Sequence, residues 1–315
     1  MRRARSAALG LSFVVLGVAV LWPLRARVVA IEEDARSALS WDNPLCSRLD
    51  AFKGLSKARA VTERTIEIQG ASRLVGEDPA GLFLFETPHG DIWLPQRGDL
   101  HSVSVVLAEQ EHEMYGPAGG LGVRPGDVVL DIGAHVGLFT RTALAAGASR
   151  VVTFEVTPRS NRSLTRNLAA EIAAGRVTVI EKGAWREESI LPLVIVEDCS
   201  ICNSVTHQLP ASINVPLTTI DRVVEELGLE HVDFIKLDIE NAEADALRGA
   251  RRTLARFRPR LAVALENAKQ RLEYAAEVQQ VVREAYGGYE YTCGASTNPE
   301  PSRRILPEIL HFHSS

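Results

Sequence analysis

Pro125-Gly126-Asp127-Val128-Val129-Leu130-Asp131-Ile132-Gly133-Ala134-His135-Val136-Gly137 is the stretch on which the fold turns. A Pro-Gly-Asp turn signal opens it, an apolar run with the character of a buried strand follows, and two glycines frame a bend into a helix over residues 136–146. Gly133 lets the backbone turn tightly against a ligand, and Gly137 lets the next helix begin beside it. Working outward, residues 151–155 form a second strand. Thr157-Pro158 opens a helix with Thr as N-cap and Pro in the first helical position. Strands follow at 177–180, 232–238 and 261–265, with a hairpin arm at 191–196 and helices at 221–227, 242–256 and 272–285. In the 242–256 helix Ala246, Leu247, Ala250 and Leu254 share one face. This alternation specifies an α/β fold with a doubly wound, Rossmann-like parallel sheet.

Ligands of such a sheet bind at the carboxyl ends of the central strands, and three stretches of chemistry fall there. The first is the turn itself. Its glycines are spaced GxxxG, not the GxGxxG of a dinucleotide site, and Asp131 would repel a pyrophosphate. S-adenosylmethionine (SAM) has no phosphate and carries an ammonium beside a sulfonium, so a carboxylate suits it. Asp131, Gly133, Ala134 and Gly137 are therefore candidates for holding SAM. Glu155, 22 residues beyond Gly133, stands where an acid bonds ribose hydroxyls, and Gly183-Ala184 after the third strand is placed near the adenine. The third stretch is Asp233-Phe-Ile-Lys236-Leu-Asp238-Ile-Glu240-Asn241-Ala-Glu243. Period two puts Lys236, Asp238 and Glu240 on one side while the strand lasts, and ionisable groups there are costly unless paired or used. Asp238 is the candidate base or acceptor-orienting group, Glu240 the second candidate and Lys236 a charge partner; His135 is an alternative base. A structural ion-pair network is the competing explanation of the three.

Residues from about 100 to 266 resemble the FkbM family of SAM-dependent methyltransferases. The resemblance rests on the 125–134 turn, Phe154-Glu155, Leu217-Thr-Thr-Ile220-Asp221, the 233–243 stretch, Leu247-Arg-Gly249-Ala250 and Arg258-Pro259. It implies a class I methyltransferase fold, SAM as cofactor, and O-methylation of a hydroxyl on a sugar, glycan or secondary metabolite. Asn241 stands where the family usually has Gly, and Asn tolerates a left-handed backbone better than most residues. A non-catalytic module that kept the fold and an NAD-dependent oxidoreductase are the rival readings; the second is opposed by Asp131 and the missing GxGxxG.

Upstream, residues 6–24 carry no charge across 19 positions, which as a helix span roughly 28 Å. Arg2, Arg3 and Arg5 precede the run, Arg25 and Arg27 follow it, and Trp22 sits at its boundary. A single-span membrane anchor over 1–24 fits best, with the catalytic domain on the cytoplasmic side where SAM is made. A cleaved signal peptide and a buried core helix are the alternatives. Residues 25–60 read as a linker and 61–120 as a β-rich extension, from the alternation Thr65-Ile66-Glu67-Ile68 and the strands Leu82-Phe83-Leu84-Phe85 and Ile92-Trp93-Leu94 about a turn at 88–91. Residues 109–115 read as a short polar helix, and 121–315 as the methyltransferase domain. Acceptor specificity is expected in the hairpin before residue 120 and in the loop around 199–210.

A net charge of −5 with scattered basic residues gives no nucleic-acid surface, so the expected partners are a small-molecule or glycan acceptor and the membrane. Cys46, Cys199, Cys202 and Cys293 are too few for a disulfide scaffold and are compatible with a reducing compartment. No metal site is expected, the pair Cys199/Cys202 lacking a second ligand pair. His311 and His313 are expected to face solvent or the sheet edge.

Overall fold

The computed structural model describes residues 45–116, 120–196, 199–205, 213–265, 271–297 and 306–314. The proposed membrane span and most of the linker thus lie outside the described residues. Among the described residues no helix is long and apolar enough to cross a membrane.

The first element is a helix, α1 (Arg48–Ala71), capped by Ser47, whose hydroxyl accepts from the amide of Asp50 at 3.1 Å. It overrides the linker boundary expected at residue 60 and the strand read at 65–68. Period two would put Ile66 and Ile68 on one face, but Ile66 is 68% exposed and Ile68 0%. Val61, Thr65 and Ile68 are the buried set, and their spacing of four and three is that of a helix. A meander follows, β1 (Arg73–Glu77), β2 (Phe83–Thr87) and β3 (Gly90–Leu94), with the expected hairpin at its β2–β3 corner. There Thr87 Oγ1 accepts from the amide of His89 and donates to the carbonyl of Gly90. The helix expected at 109–115 is the end of a longer one, α2 (Leu100–Glu111).

Beyond it the chain alternates: β4 (Val128–Ile132), α3 (Leu138–Ala145), β5 (Arg150–Phe154), α4 (Pro158–Asn167), α5 (Ala169–Ala173), β6 (Val177–Ile180). A side sheet of β7 (Gly183–Ala184), β8 (Ser189–Leu193) and β9 (Ile213–Thr218) follows in the order β7-β9-β8. Then come α6 (Ile220–Glu226), β10 (Phe234–Leu237), α7 (Glu243–Arg248), α8 (Arg251–Phe257), β11 (Arg260–Ala264), α9 (Arg271–Ala285) and β12 (Tyr289–Cys293). Short strands β13 (Ser296–Thr297) and β14 (Leu306–Pro307) precede β15 (Ile309–Ser314).

The main sheet has seven strands in the order β12-β15-β11-β10-β4-β5-β6, parallel except for β15, which pairs antiparallel with both neighbours. From β4 the chain winds outward through β5 and β6, then returns to build β10 and β11 on the other side. The crevice between the carboxyl ends of β4 and β10 is therefore the switch point where an open sheet binds ligands. Alternate residues of each strand feed two cores. Leu130, Ile132, Ile235 and Val263 pack with α6 to α9, while Val129, Phe234 and Ala262 pack with α1 to α3 and the meander.

Two expectations fail at the carboxyl-terminal strands. His311 is 1% exposed because β15 is an interior strand covered on both faces, and burial pushes its imidazole down to about 3, so it is neutral. His313, nearer the strand end, is half-buried. All four cysteines are paired, Cys46 with Cys293 and Cys199 with Cys202. A count of cysteines does not reveal that β12 returns to residue 46, where Tyr291 also donates to the carbonyl of Leu45 at 2.8 Å. Since the first bridge links positions 247 apart, Cys293→Ser should cost about 2–4 kcal/mol of stability. Urea unfolding with and without reductant checks this: reductant should shift the wild type and leave the variant's Cys46–Cys293 contribution absent in both.

Candidate functional site

Gly133 adopts φ +83°, and a Cβ there would lie 2.0 Å from the carbonyl oxygen of Asp238. Only glycine lets the end of β4 run that close to the end of β10. The amides of Gly133 and Ala134 both donate to the carbonyl of Phe154 at 3.0 Å, which draws the turn over β5. Gly137, at φ +89°, starts α3 in contact with Leu168. A cavity of about 270 Å³ opens above this turn.

Its walls bring together Gly133, Ala134, Glu155, Lys236, Asp238 and Glu240, with Gly183 and Ala184 of β7 on the far side. Asp131 and Gly137 do not line it. Asp131 is 0% exposed beneath the turn, where Thr140 Oγ1 donates to its Oδ2 at 2.7 Å. Lys236 is its register partner across β4 and β10, with Nζ 3.4 Å from Asp131 Oδ1. That ammonium also donates to the carbonyl of Gly133 at 2.8 Å and stands 3.6 Å from Asp238 Oδ2. Burial works against its charge, but Asp131 and Asp238 outweigh burial and hold its pKa above the ordinary value. Lys236 is thus a charge partner, as its place in the strand suggests.

Glu155 is nearly buried and its carboxylate is oriented by two amides, His135 to Oε2 at 2.9 Å and Thr157 to Oε1 at 2.7 Å. Burial raises its pKa. Each oxygen keeps a second lone pair for a ligand hydroxyl. His135, at φ +52°, is pushed down to about 3 by burial and by Lys236. So weak a base is poorly matched to general-base work near neutrality, and its ring instead contacts Ser200 Oγ at 2.5 Å.

Beyond β10 the backbone takes two successive left-handed residues, Glu240 at φ +54° and Asn241 at φ +71°. Asn241 therefore keeps the turn that a glycine would make more cheaply. Glu243 is fully buried after it, accepting from the amide of Ile239 at 2.9 Å and from Tyr274 Oη at 2.7 Å. Burial, then the neighbouring carboxylates, pushes Glu240 up to about 8.

Two wall residues escaped the sequence reading. Tyr115 donates to Asp238 Oδ2 at 2.9 Å, with its ring packed edge-on to Phe139 at 5.8 Å between centroids. Glu109 of α2 faces the same cavity and is pushed up to about 8 by burial and by Asp238. The only signal was their position, at the end of a polar helix just before the glycine-rich loop at 116–122. Ser200, Asn203 and Ser204 complete the roof, so the described part of the loop expected to govern specificity does reach the cavity. Glu109 and Glu240 hold their protons near neutrality, so among the described residues Glu155 and Asp238 against Lys236 leave the lining acidic and suited to a cationic ligand. Among the described residues no cluster suited to a metal ion occurs.

A family model described as the methyltransferase FkbM domain matches residues 131–291. The antimetabolite synthetase AmbE of Pseudomonas aeruginosa is 29% identical over 169 residues, which is 41% of this chain and 8% of AmbE. Among solved structures, methyltransferase FkbM from Methylobacillus flagellatus is 18% identical with a TM-score of 0.46, over 82% of this chain and 59% of that one. Aeropyrum pernix fibrillarin with natively bound S-adenosyl-L-methionine is 16% identical with a TM-score of 0.35, over 60% and 67%. The chain thus spans only a small part of AmbE and little more than half of the FkbM structure.

The raised carboxyls fix a pH dependence. Glu243 keeps its proton up to about 7 in the folded state, and Glu240 and Glu109 up to about 8, whereas unfolded they lose it near about 4.3. Between those values these carboxyls bind more protons when folded, while the neutral His135 and His311 bind fewer below about 6.5, so the fall in stability is steepest from about 6.5 to about 8. Chemical denaturation across that window should show the decline, and Glu240→Gln should flatten it.

Proposed function

The chain belongs to the FkbM methyltransferase family, whose model spans half of it, and on that premise we propose that it transfers a methyl group from SAM to a hydroxyl oxygen of a sugar, glycan or secondary metabolite. The observation that carries this reading is the placement of two carboxylates, Glu155 and Asp238, in the lining of one acidic cavity at the switch point, after the strands β5 and β10 that flank β4. When bound, SAM supplies an electrophilic methyl group on a sulfonium centre. Glu155, with both oxygens held by amides, accepts from the ribose hydroxyls. Gly133 and Ala134 bring the backbone close to the methionine end, and Gly183 and Ala184 of β7 border the adenine side. Asp131 acts at one remove, by fixing Lys236 under the turn.

Methyl transfer is a displacement that depends chiefly on alignment, and the acceptor oxygen must also give up a proton. Asp238 takes that proton. Tyr115 and Lys236 both engage its Oδ2, and among the described residues no contact falls on Oδ1, while the side chain is 29% exposed. Glu240, protonated near neutrality, lies beside it as a hydrogen-bond donor to the acceptor. The uncharged run at residues 6–24 supports a membrane anchor with this domain in the cytosol. The two disulfides favour the opposite side of that membrane, an oxidising compartment. Alkylating thiols in intact cells decides between the two: blocked cysteines place the domain outside, reactive ones inside.

Asp238→Asn should bind SAM within about threefold of wild type yet lose on the order of a hundredfold in turnover. Calorimetric titration and methyl release from labelled SAM, run on the same folded sample, separate these quantities. Lost binding with turnover per bound complex retained would make Asp238 a cofactor ligand instead. Absence of SAM binding by the wild type would overturn the reading as a whole.

A further inference from the structure

A second cavity, of about 780 Å³, abuts the first and shares Thr157, Ser200 and Asn203 with it. Its remaining walls come from α4, a helix of the doubly wound sheet, and from the meander and the β8–β9 arm, which are added around that sheet. Arg159, Arg162 and Arg166 of α4 all line it, and spacings of three and four put them on one helix face. Arg166 pairs with Asp78 at 2.6 Å and Arg159 donates to the carbonyl of Gly81 at 2.6 Å, so both guanidiniums are held in place. Arg162 is exposed. Among the described lining residues, Asp78 and Glu181 stand against these three cations, which leaves one net positive charge there, and the amino-terminal end of α4 adds to it.

The same helix carries three buried oxygens in need of partners, of which Ser163 Oγ belongs to a residue that does not line this cavity. Ser160 is 0% and Asn161 4% exposed, and Ser160 Oγ and Asn161 Oδ1 have no hydrogen-bond partner among the described residues. Both residues line this cavity. Asn161 is not free to turn away, because its Nδ2 donates to the carbonyl of Glu155 at 2.7 Å. Both oxygens lie beneath the cavity wall, so an oxyanion in the cavity accepts from the guanidiniums of Arg159 and Arg162.

We propose that this cavity holds the anionic end of the methyl acceptor, a carboxylate or phosphate, with Arg159 and Arg162 as its contacts. The proposal rests on the reading of the first cavity as the methyl-transfer site. Charge separates the two ligands. The acidic cavity takes the cationic cofactor and repels an anion, which finds its counter-charge next door.

The test is calorimetric titration of the full chain with inorganic phosphate, with glucuronate and with neutral glucose, alongside SAM. One or both anions should bind in the millimolar range and glucose should not; tighter glucuronate assigns a carboxylate, tighter phosphate a phosphate. Arg162→Gln, at an exposed position, should keep the fold and weaken the anion several-fold, and Arg159→Gln with Arg162→Gln should weaken it about tenfold or more. SAM affinity should stay unchanged in both. Failure of both anions to bind, equal binding of glucose, or binding indifferent to the arginines would overturn the proposal. SAM binding without anion binding removes this proposal alone. Arginine-dependent anion binding without SAM binding removes the methyltransferase reading and leaves an anion site.

Discussion

A lysine ammonium buried between two parallel strands is the constraint around which the site is arranged. Lys236 is 4% exposed, and a cation so placed persists only if oxygens surround it. The three it finds are Asp131 at the end of β4, the carbonyl of Gly133 in the turn, and Asp238 at the end of β10. These are the three points whose relative position defines the crevice. Gly133 completes the arrangement from the other direction, since any side chain there would collide with Asp238. A buried ion cluster is a poor source of net stability compared with apolar packing. What this one provides is register between the turn and the strand that carries Asp238.

How much of this was legible follows from the range of the interactions involved. The β4 turn, the alternation of strands and helices, Glu155 and the 233–243 stretch are local patterns, and a sequence displays them directly. Asn241 was legible in the same way, because the left-handed conformation it adopts is what a glycine position demands. Asp131 shows where local reasoning stops. Its type and place suit a cofactor ammonium, but its register partner in the sheet is Lys236, which a reading of one strand at a time cannot see. The strand pattern at 65–68 misled because Ile66 is an isoleucine on the exposed face of a helix, and only the packing of Val61, Thr65 and Ile68 decided for the helix. His311 and the Cys46–Cys293 pair depend on β15 inserting between β11 and β12, a pairing between distant parts of the chain.

The two cavities divide charge in a way composition alone conceals. Overall the chain is mildly acidic, yet the arginines of α4 gather on one face while the carboxylates of α2, β5 and β10 converge on another point. Asn161 stands between them, bonded through its amide to the backbone of Glu155 and lining the neighbouring cavity. Helix α4 follows the strand that ends in Glu155, so a single βα unit contributes a wall to both sites.

The elements outside the sheet are tied to the cofactor turn by one chain of contacts. Asp99, 0% exposed at the start of α2, accepts from the amide of Gln96 at 3.0 Å and from that of Ser200 at 2.9 Å. Ser200 in turn meets the ring of His135, whose own amide holds Glu155. The Cys199–Cys202 bridge closes the short loop that contains Ser200, which limits how far this link can move. His135 suits the position because it stays neutral: a charged imidazole would sit beside the Lys236 ammonium in a site with little water. The added segments are therefore not a cover laid over a finished site. Through Asp99, Ser200 and His135 they help to set the orientation of the carboxylate at the end of β5.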